Sequence, residues 1–391
     1  MPAEFSVLDL GQARPSPAIP AADLHRRSAM ADLPSNPGAS ADMPSPDDTA
    51  PESRLAGIFS TGRSGSTWLG AIVASHPDVA YRFEPKPGRR GRAPATEAAA
   101  KRLVDPHVGM ADLAQIEAGL RLSDPCSDKP PFTPRRRGAL PFPWLRGPMW
   151  AACRRFPALS PVHRLLYTPR GRPLVVFKHV AHERACRRLL ERTALPIVYL
   201  VRHPCATVSS ILKGQRDGVM PNGRASVIDR FVADNAPHLQ RRFGDRIAAM
   251  GPHQHEALLW RWSVETSLAP ALDTTPPTLH LVHYENLCRN PAAETAKVLA
   301  HLGLAADPQV DAFVAASTDP AARGLREPGI RRYFSVFRNP LDSMDKWRRD
   351  LDETRQREIL EIVEDSPIFE RGVSEAGWHA PARVAPLRRA A

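Results

Sequence analysis

Two short stretches about 140 residues apart constrain this chain more than anything else in it: Ser60-Thr61-Gly62-Arg63-Ser64-Gly65-Ser66-Thr67-Trp68 and Val201-Arg202-His203-Pro204-Cys205-Ala206-Thr207-Val208-Ser209-Ser210. Each follows an apolar run, residues 55–59 and 195–201, with the length and composition of a buried parallel strand. In the first stretch, Gly62 and Gly65 permit a tight turn that lets backbone N–H groups close around an anion. Residues 68–74 then read as a helix with apolar side chains on most faces, so it should be buried. In the second, Pro204 suits a first helical position, where its missing N–H costs nothing. Both stretches place cationic or hydroxyl side chains where a phosphate would sit at a helix N-terminus.

The spacing Gly57, Gly62, Arg63, Ser64 also fits G-x-x-x-x-G-K-[ST], with Arg in place of Lys. That reading makes the chain a nucleotide kinase or NTPase. It asks for an apolar strand ending in a magnesium-holding aspartate, and the sequence offers none.

Taken together and in this order, the two stretches resemble the phosphate-binding motifs of sulfotransferases that use 3′-phosphoadenosine-5′-phosphosulfate (PAPS). Ser210 lies eight residues beyond Arg202, the interval of the arginine and serine that bind the 3′-phosphate in that family. The resemblance implies that Arg63, Ser64, Ser66 and Thr67, with Thr61, Gly62 and Gly65 shaping the loop, hold the 5′-phosphosulfate. It implies that Trp68 stacks on adenine and that Arg202 and Ser210 read the 3′-phosphate. It also implies PAPS as donor, no metal, and a P-loop-like parallel sheet with helices on both faces. Further segments agree. Residues 279–287 resemble the late strand that sulfotransferases end with Tyr-Glu-Asp-Leu, here Tyr284-Glu285-Asn286-Leu287. Residues 333–340 and Lys346-Trp347-Arg348 resemble the closing loop and helix of bacterial and carbohydrate sulfotransferases. The Arg-Lys-Gly signature of the phenol and steroid enzymes is absent. The resemblance runs from about residue 54 to 374.

Strands are expected near 55–60, 79–83, 174–178, 196–201 and 279–284. Short apolar strands alternating with helical segments imply a doubly covered parallel sheet, and ligands collect at the carboxyl ends of such strands. Those ends deliver Arg63, Glu84, Lys178 with His179, Arg202 and Glu285. Sulfuryl transfer needs charge stabilised on the departing phosphate oxygen, which suits Arg63, and a base for the acceptor proton. Phe83-Glu84-Pro85 resembles the Phe-Glu-Pro of carbohydrate-type enzymes, where the glutamate is a candidate base. Phenol-type enzymes use a histidine after Lys-Thr, but Lys178-His179 lacks the intervening residue. A one-residue offset turns a strand side chain to the opposite face. Glu84 is therefore favoured over His179, and Pro85 should hold Glu84 extended.

Of 391 residues, the first 53 are rich in Pro, Ala, Ser and Asp without periodicity and read as a disordered lead-in. The domain is expected over 54–375 and a disordered tail over 376–391. No apolar run reaches the length of a signal peptide or membrane anchor, which favours the cytoplasm. Cys126, Cys153, Cys186, Cys205 and Cys288 have no C-x-x-C spacing and read as reduced thiols. The net charge of +11 resides in a Pro/Arg-rich insertion between the second and third strands: residues 86–173 carry 17 Lys and Arg against 6 Asp and Glu. With Arg135-Arg136-Arg137 and Pro141-Phe142-Pro143-Trp144, it reads either as a surface for an anionic glycan or membrane-borne lipid, or as a solvated flexible loop. No recognition motif accompanies the charge, so specific nucleic-acid binding is not expected. Three function classes stay open: a PAPS-dependent sulfotransferase acting on a hydroxyl or amine, a P-loop kinase or NTPase, and an inactive nucleotide-binding protein.

Overall fold

The computed structural model describes residues 54–134, 145–220, 227–319 and 340–378. The expected lead-in, Arg135–Arg137, residues 141–144, most of the closing loop and residues 379–391 lie outside them. The strands are β1 (Leu55–Ser60), β2 (Val79–Phe83), β3 (Leu174–Val180), β4 (Ile197–Val201) and β5 (Leu279–His283). They form one parallel five-stranded sheet in the order β2-β3-β1-β4-β5. The helices between β1 and β3 are α1 (Ser66–Ser75), α2 (Pro94–Leu103), α3 (Leu113–Arg121), α4 (Arg146–Arg155) and α5 (Ser160–Tyr167). From β3 to β5 come α6 (Glu183–Arg192), α7 (Pro204–Arg216), α8 (Ile228–Asn235), α9 (Pro237–Ile247) and α10 (Pro252–Leu268). After β5 follow α11 (Tyr284–Arg289), α12 (Pro291–His301), α13 (Pro308–Thr318), α14 (Pro340–Met344), α15 (Trp347–Asp350), α16 (Glu353–Val363) and α17 (Pro367–Ala376).

The two-residue period of the strands sorts their side chains into two cores. Ile58, Val176, Val198 and Val282 pack with α1, α11, α12 and α13. Phe59, Phe177, Tyr199 and Leu279 pack on the other face with α6, α7, α10 and α16. Burial on both faces explains why these strands read as continuous apolar runs. Gly57 is an interior strand residue: its N–H donates to Pro196 O at 2.9 Å, and a Cβ would meet the Phe177 ring at 2.9 Å. The kinase-type spacing needs this glycine in the phosphate loop, and it is not there. Among the described residues no helix is long and apolar enough to cross a membrane.

Two expectations are corrected. The domain does not end at 375, because Trp378 is buried and its Nε1 donates to Glu285 Oε2 at 2.9 Å. The described part of the insertion is also packed rather than solvated. Arg82 of β2 is fully buried and donates to the last carbonyls of α3, Leu120 O at 2.6 Å and Arg121 O at 2.8 Å. Those carbonyls lack helical partners, and a cation there suits the helix dipole. Asp128 accepts from both Arg82 (2.9 Å) and Arg146 (3.1 Å), and so ties α4 to the sheet edge. Asp128→Ala should leave two buried guanidinium groups uncompensated and cost about 3–5 kcal/mol in urea unfolding. A solvated loop would give a change within about 0.5 kcal/mol.

Candidate active site

The first loop leaves β1 and turns into α1 through two left-handed residues, Arg63 at φ 67° and Gly65 at φ 94°. Such turns aim successive N–H groups into one concavity, and α1 adds the unpaired N–H groups of its first turn. Gly65 admits no side chain, since a Cβ would lie 2.5 Å from the Tyr284 ring. Ser64 is fully buried and its hydroxyl is bonded to that of Thr61, so these two side chains brace the loop from within. Ser66 is buried in the first turn of α1, and Thr67 is half-buried beside it.

The two sequence motifs meet. Arg63 Nε donates to Ser210 Oγ on α7 at 3.2 Å, across 147 residues of chain. Arg202 Nη1 donates to Arg63 O at 3.2 Å and Nη2 to Ser343 O at 2.6 Å. The Arg202 guanidinium lies 4.4 Å from the Tyr284 ring centroid, and its Nε is buried without a hydrogen-bond partner among the described residues. Pro204 starts α7 as expected, with His203 as N-cap accepting from Cys205 N–H through Nδ1. Glu285 Oε1 accepts from His203 N–H at 3.1 Å and so holds the second turn from behind. Burial raises the Glu285 carboxyl above the ordinary carboxylate value, against the lowering effect of its bonds from His203 and Trp378.

Glu84 pairs with Lys178: Oε1 lies 2.9 Å from Nζ, with the two side chains 15% and 1% exposed. Burial favours the neutral acid, yet the Lys178 ammonium, with Lys86 and Lys129 nearby, holds Glu84 below the ordinary carboxylate range. The Lys129 and Lys178 ammonium groups each sit 4.2 Å from the Phe83 ring centroid. Pro85 does not keep Glu84 extended. Glu84 has φ 43°, because its N–H donates to Lys178 O at 2.8 Å while its carbonyl accepts from Lys86 N–H at 2.7 Å. These bonds clamp the chain as it leaves the sheet.

Strand parity separates the two candidate bases. Lys178 pairs in register with Ile58, and His179 with Phe59, which puts them on opposite sheet faces. Lys178, Phe83, Tyr284 and α1 share one side. His179 is fully buried on the other, packed against Phe59, Phe177 and His182. Burial keeps its imidazole neutral, well below the usual histidine value. The fold thus joins Arg63, Arg202 and Ser210, puts Glu84 on Lys178, and leaves His179 outside. Trp68 is likewise a core residue, 7% exposed, with Nε1 donating to Ser317 Oγ at 3.0 Å and its edge on Tyr284. The open face expected for adenine is not presented, since Trp68 is buried and held to α13 through Ser317. The lysine under Glu84, the Tyr284 ring and the Ser343 carbonyl were not assigned from sequence. The parity of β3 signals Lys178; nothing local signals Ser343.

A family model described as the sulfotransferase domain matches residues 56–324. Human carbohydrate sulfotransferase 6 is 26% identical over 324 residues, covering 78% of this chain and 77% of its own. Mouse carbohydrate sulfotransferase 5 is 25% identical over 323 residues, with the same shares of 78% and 77%. Among solved structures, mouse sulfotransferase SULT7A1 complexed with PAP aligns with a TM-score of 0.44 at 15% identity, over 82% of this chain and 89% of that one. The sulfotransferase domain from the curacin biosynthetic pathway aligns with a TM-score of 0.43 at 15% identity, over 84% and 98%.

The Glu84–Lys178 pair yields a stability test. Glu84→Ala strands a buried ammonium and should cost about 3–5 kcal/mol, and adding Lys178→Met should recover most of it. Because folding lowers the proton affinity of Glu84, its contribution is complete above the unfolded value of about 4.3. It is lost as pH falls through the lower folded value. Urea midpoints of the unsubstituted chain and the two variants across acid pH check both points.

Proposed function

The chain belongs to the sulfotransferase family, and from that premise we propose that it moves a sulfuryl group from PAPS to a carbohydrate hydroxyl. One observation carries the donor assignment: the Arg63–Ser210 bond, with Arg202 on the Arg63 carbonyl, assembles two phosphate-binding motifs into one cluster. The donor set fits two separate phosphate groups. Backbone N–H groups at the start of α1, with Arg63, suit the 5′ end, while Arg202, whose Nε is buried and unpartnered, suits the 3′-phosphate with Ser210. When bound, PAPS supplies an activated sulfuryl group on a phosphate leaving group. The carbohydrate acceptor rests on two relatives that carry that name and on Phe83-Glu84-Pro85.

In this reading the chain's own groups divide the work. Arg63 stabilises charge that develops on the departing phosphate oxygen. Glu84, held ionised by Lys178, accepts the acceptor proton. The residues near α1 position the reactants, which is most of what transfer through a loose transition state requires.

Calorimetry should show adenosine 3′,5′-bisphosphate binding without metal and much more tightly than AMP or ATP. Arg202→Ala removes charge-assisted hydrogen bonds worth roughly 1.5–3 kcal/mol each, so affinity should fall at least about tenfold. Equal affinity for AMP and the bisphosphate would sink the donor assignment. With labelled PAPS and a panel of glycans, Glu84→Gln should lower kcat by roughly 10²–10⁴-fold and spare bisphosphate binding. His179→Ala should leave turnover largely intact. The reverse ranking would move the base to His179, and no turnover with any acceptor would favour an inactive nucleotide-binding protein.

A further inference from the structure

Helix α5 is built inside out. Its inward face is polar: Ser160 and His163 are buried, and His163 lies 3.8 Å from Asp128. Its outward face is apolar, with Val162 44% and Leu165 80% exposed. At about 100° per residue these two lie together, opposite Ser160, His163 and Tyr167. The turn before the helix adds Phe156 at 58% and Leu159 at 37% exposure. Four of the eight large apolar residues exposed among the described residues therefore fall within ten positions. The polar inner face is explained by the Asp128 network; the apolar outer face has no partner in the described fold.

Charge says what the partner is. Residues 146–173, a stretch of 28, hold six arginines and not one Asp or Glu. Arg154, Arg155, Arg170 and Arg172 are exposed, and Arg155 lies 5.4 Å from the Phe156 ring centroid. We propose that this face docks on an anionic lipid bilayer. Phe156, Leu159, Val162 and Leu165 enter the acyl boundary, and the neighbouring arginines meet the headgroups. A basic element with an apolar outward face lies in a membrane interface in just this way. An anionic glycan would account for the arginines but not for four bare apolar side chains. An apolar protein partner would account for those side chains but not for the absence of carboxylates. The inference is independent of the reaction, because none of these residues belongs to the Arg63 cluster.

The test is sedimentation of the full chain with vesicles of phosphatidylcholine alone or mixed with phosphatidylserine. The chain should bind the mixed vesicles, bind pure phosphatidylcholine far more weakly, and lose affinity as salt rises. Arg154→Glu with Arg155→Glu should weaken binding by at least about fivefold for each arginine. Val162→Ser with Leu165→Ser should weaken it by at least about tenfold. All four positions are exposed, and unchanged affinity for adenosine 3′,5′-bisphosphate would show that the variants fold. No binding to mixed vesicles, or binding that neither pair of substitutions alters, overturns the proposal. So does a dimer that ignores vesicles and dissociates in the serine variant, which would assign the face to a second copy of the chain.

Discussion

The Arg202 guanidinium is the point on which the site depends. It bonds the Arg63 carbonyl of the first loop and the Ser343 carbonyl of α14, and it lies against the Tyr284 ring of α11. Three segments distant in sequence, the first loop, α11 and α14, are thereby fixed to the end of β4. The interaction is directional, since a guanidinium presents its donors in a rigid fork. Lysine could carry the charge but not span the same two carbonyls. The Arg202 Nε, buried and without a partner among the described residues, is a cost that an acceptor would relieve, and a phosphate oxygen is the acceptor the motif implies.

The sheet was almost wholly legible in the sequence. Five apolar runs bounded by turn residues mark the strands to within two residues, because strands buried on both faces leave no alternation to misread. β3 runs two residues further than expected, since His179 and Val180 still pair with Phe59 and Ser60. Arg63 and Arg202 were legible for the same reason, each lying just beyond a marked strand, and Ser210 through its eight-residue interval from Arg202. The separation of Glu84 from His179 was legible in principle: once β3 is registered on β1, parity sends Lys178 and His179 to opposite faces.

What was hidden depends on partners distant in sequence. Arg82 sits in a strand where an arginine would be read as edge-exposed, and its burial makes sense only with the α3 carbonyls and Asp128 in place. One of the two readings of the surrounding insertion was a flexible, arginine-rich loop, because its counter-charges are few and its helices short. One of those few, Asp128, holds two arginines at once. Glu84 was misjudged for a related reason. A proline after a residue disfavours helix there, but hydrogen bonds at both of its backbone groups set φ at 43° instead. Trp378 shows the limit at the chain's end, where a lone tryptophan beyond a glycine carries no signal until Glu285 is known to lie opposite.

The pairing of Glu84 with Lys178 bears on what kind of base this carboxylate would make under the proposed function. A base works best when its proton affinity lies near the working pH, and this carboxylate is held below even the ordinary carboxylate range. It is thus always ionised at neutral pH but a weak proton acceptor. That combination suits a transfer in which the acceptor proton departs late, after most of the bond to the leaving group has loosened, as in loose phosphoryl transfer. In such a reaction the larger stabilisation comes from fixed cations aimed at developing charge. Under the proposed function, Lys178 would weaken Glu84 as a base while adding a fixed cation on the sheet face that carries α1. In that reading the ion pair would exchange proton affinity for electrostatic stabilisation, which a loose transition state favours.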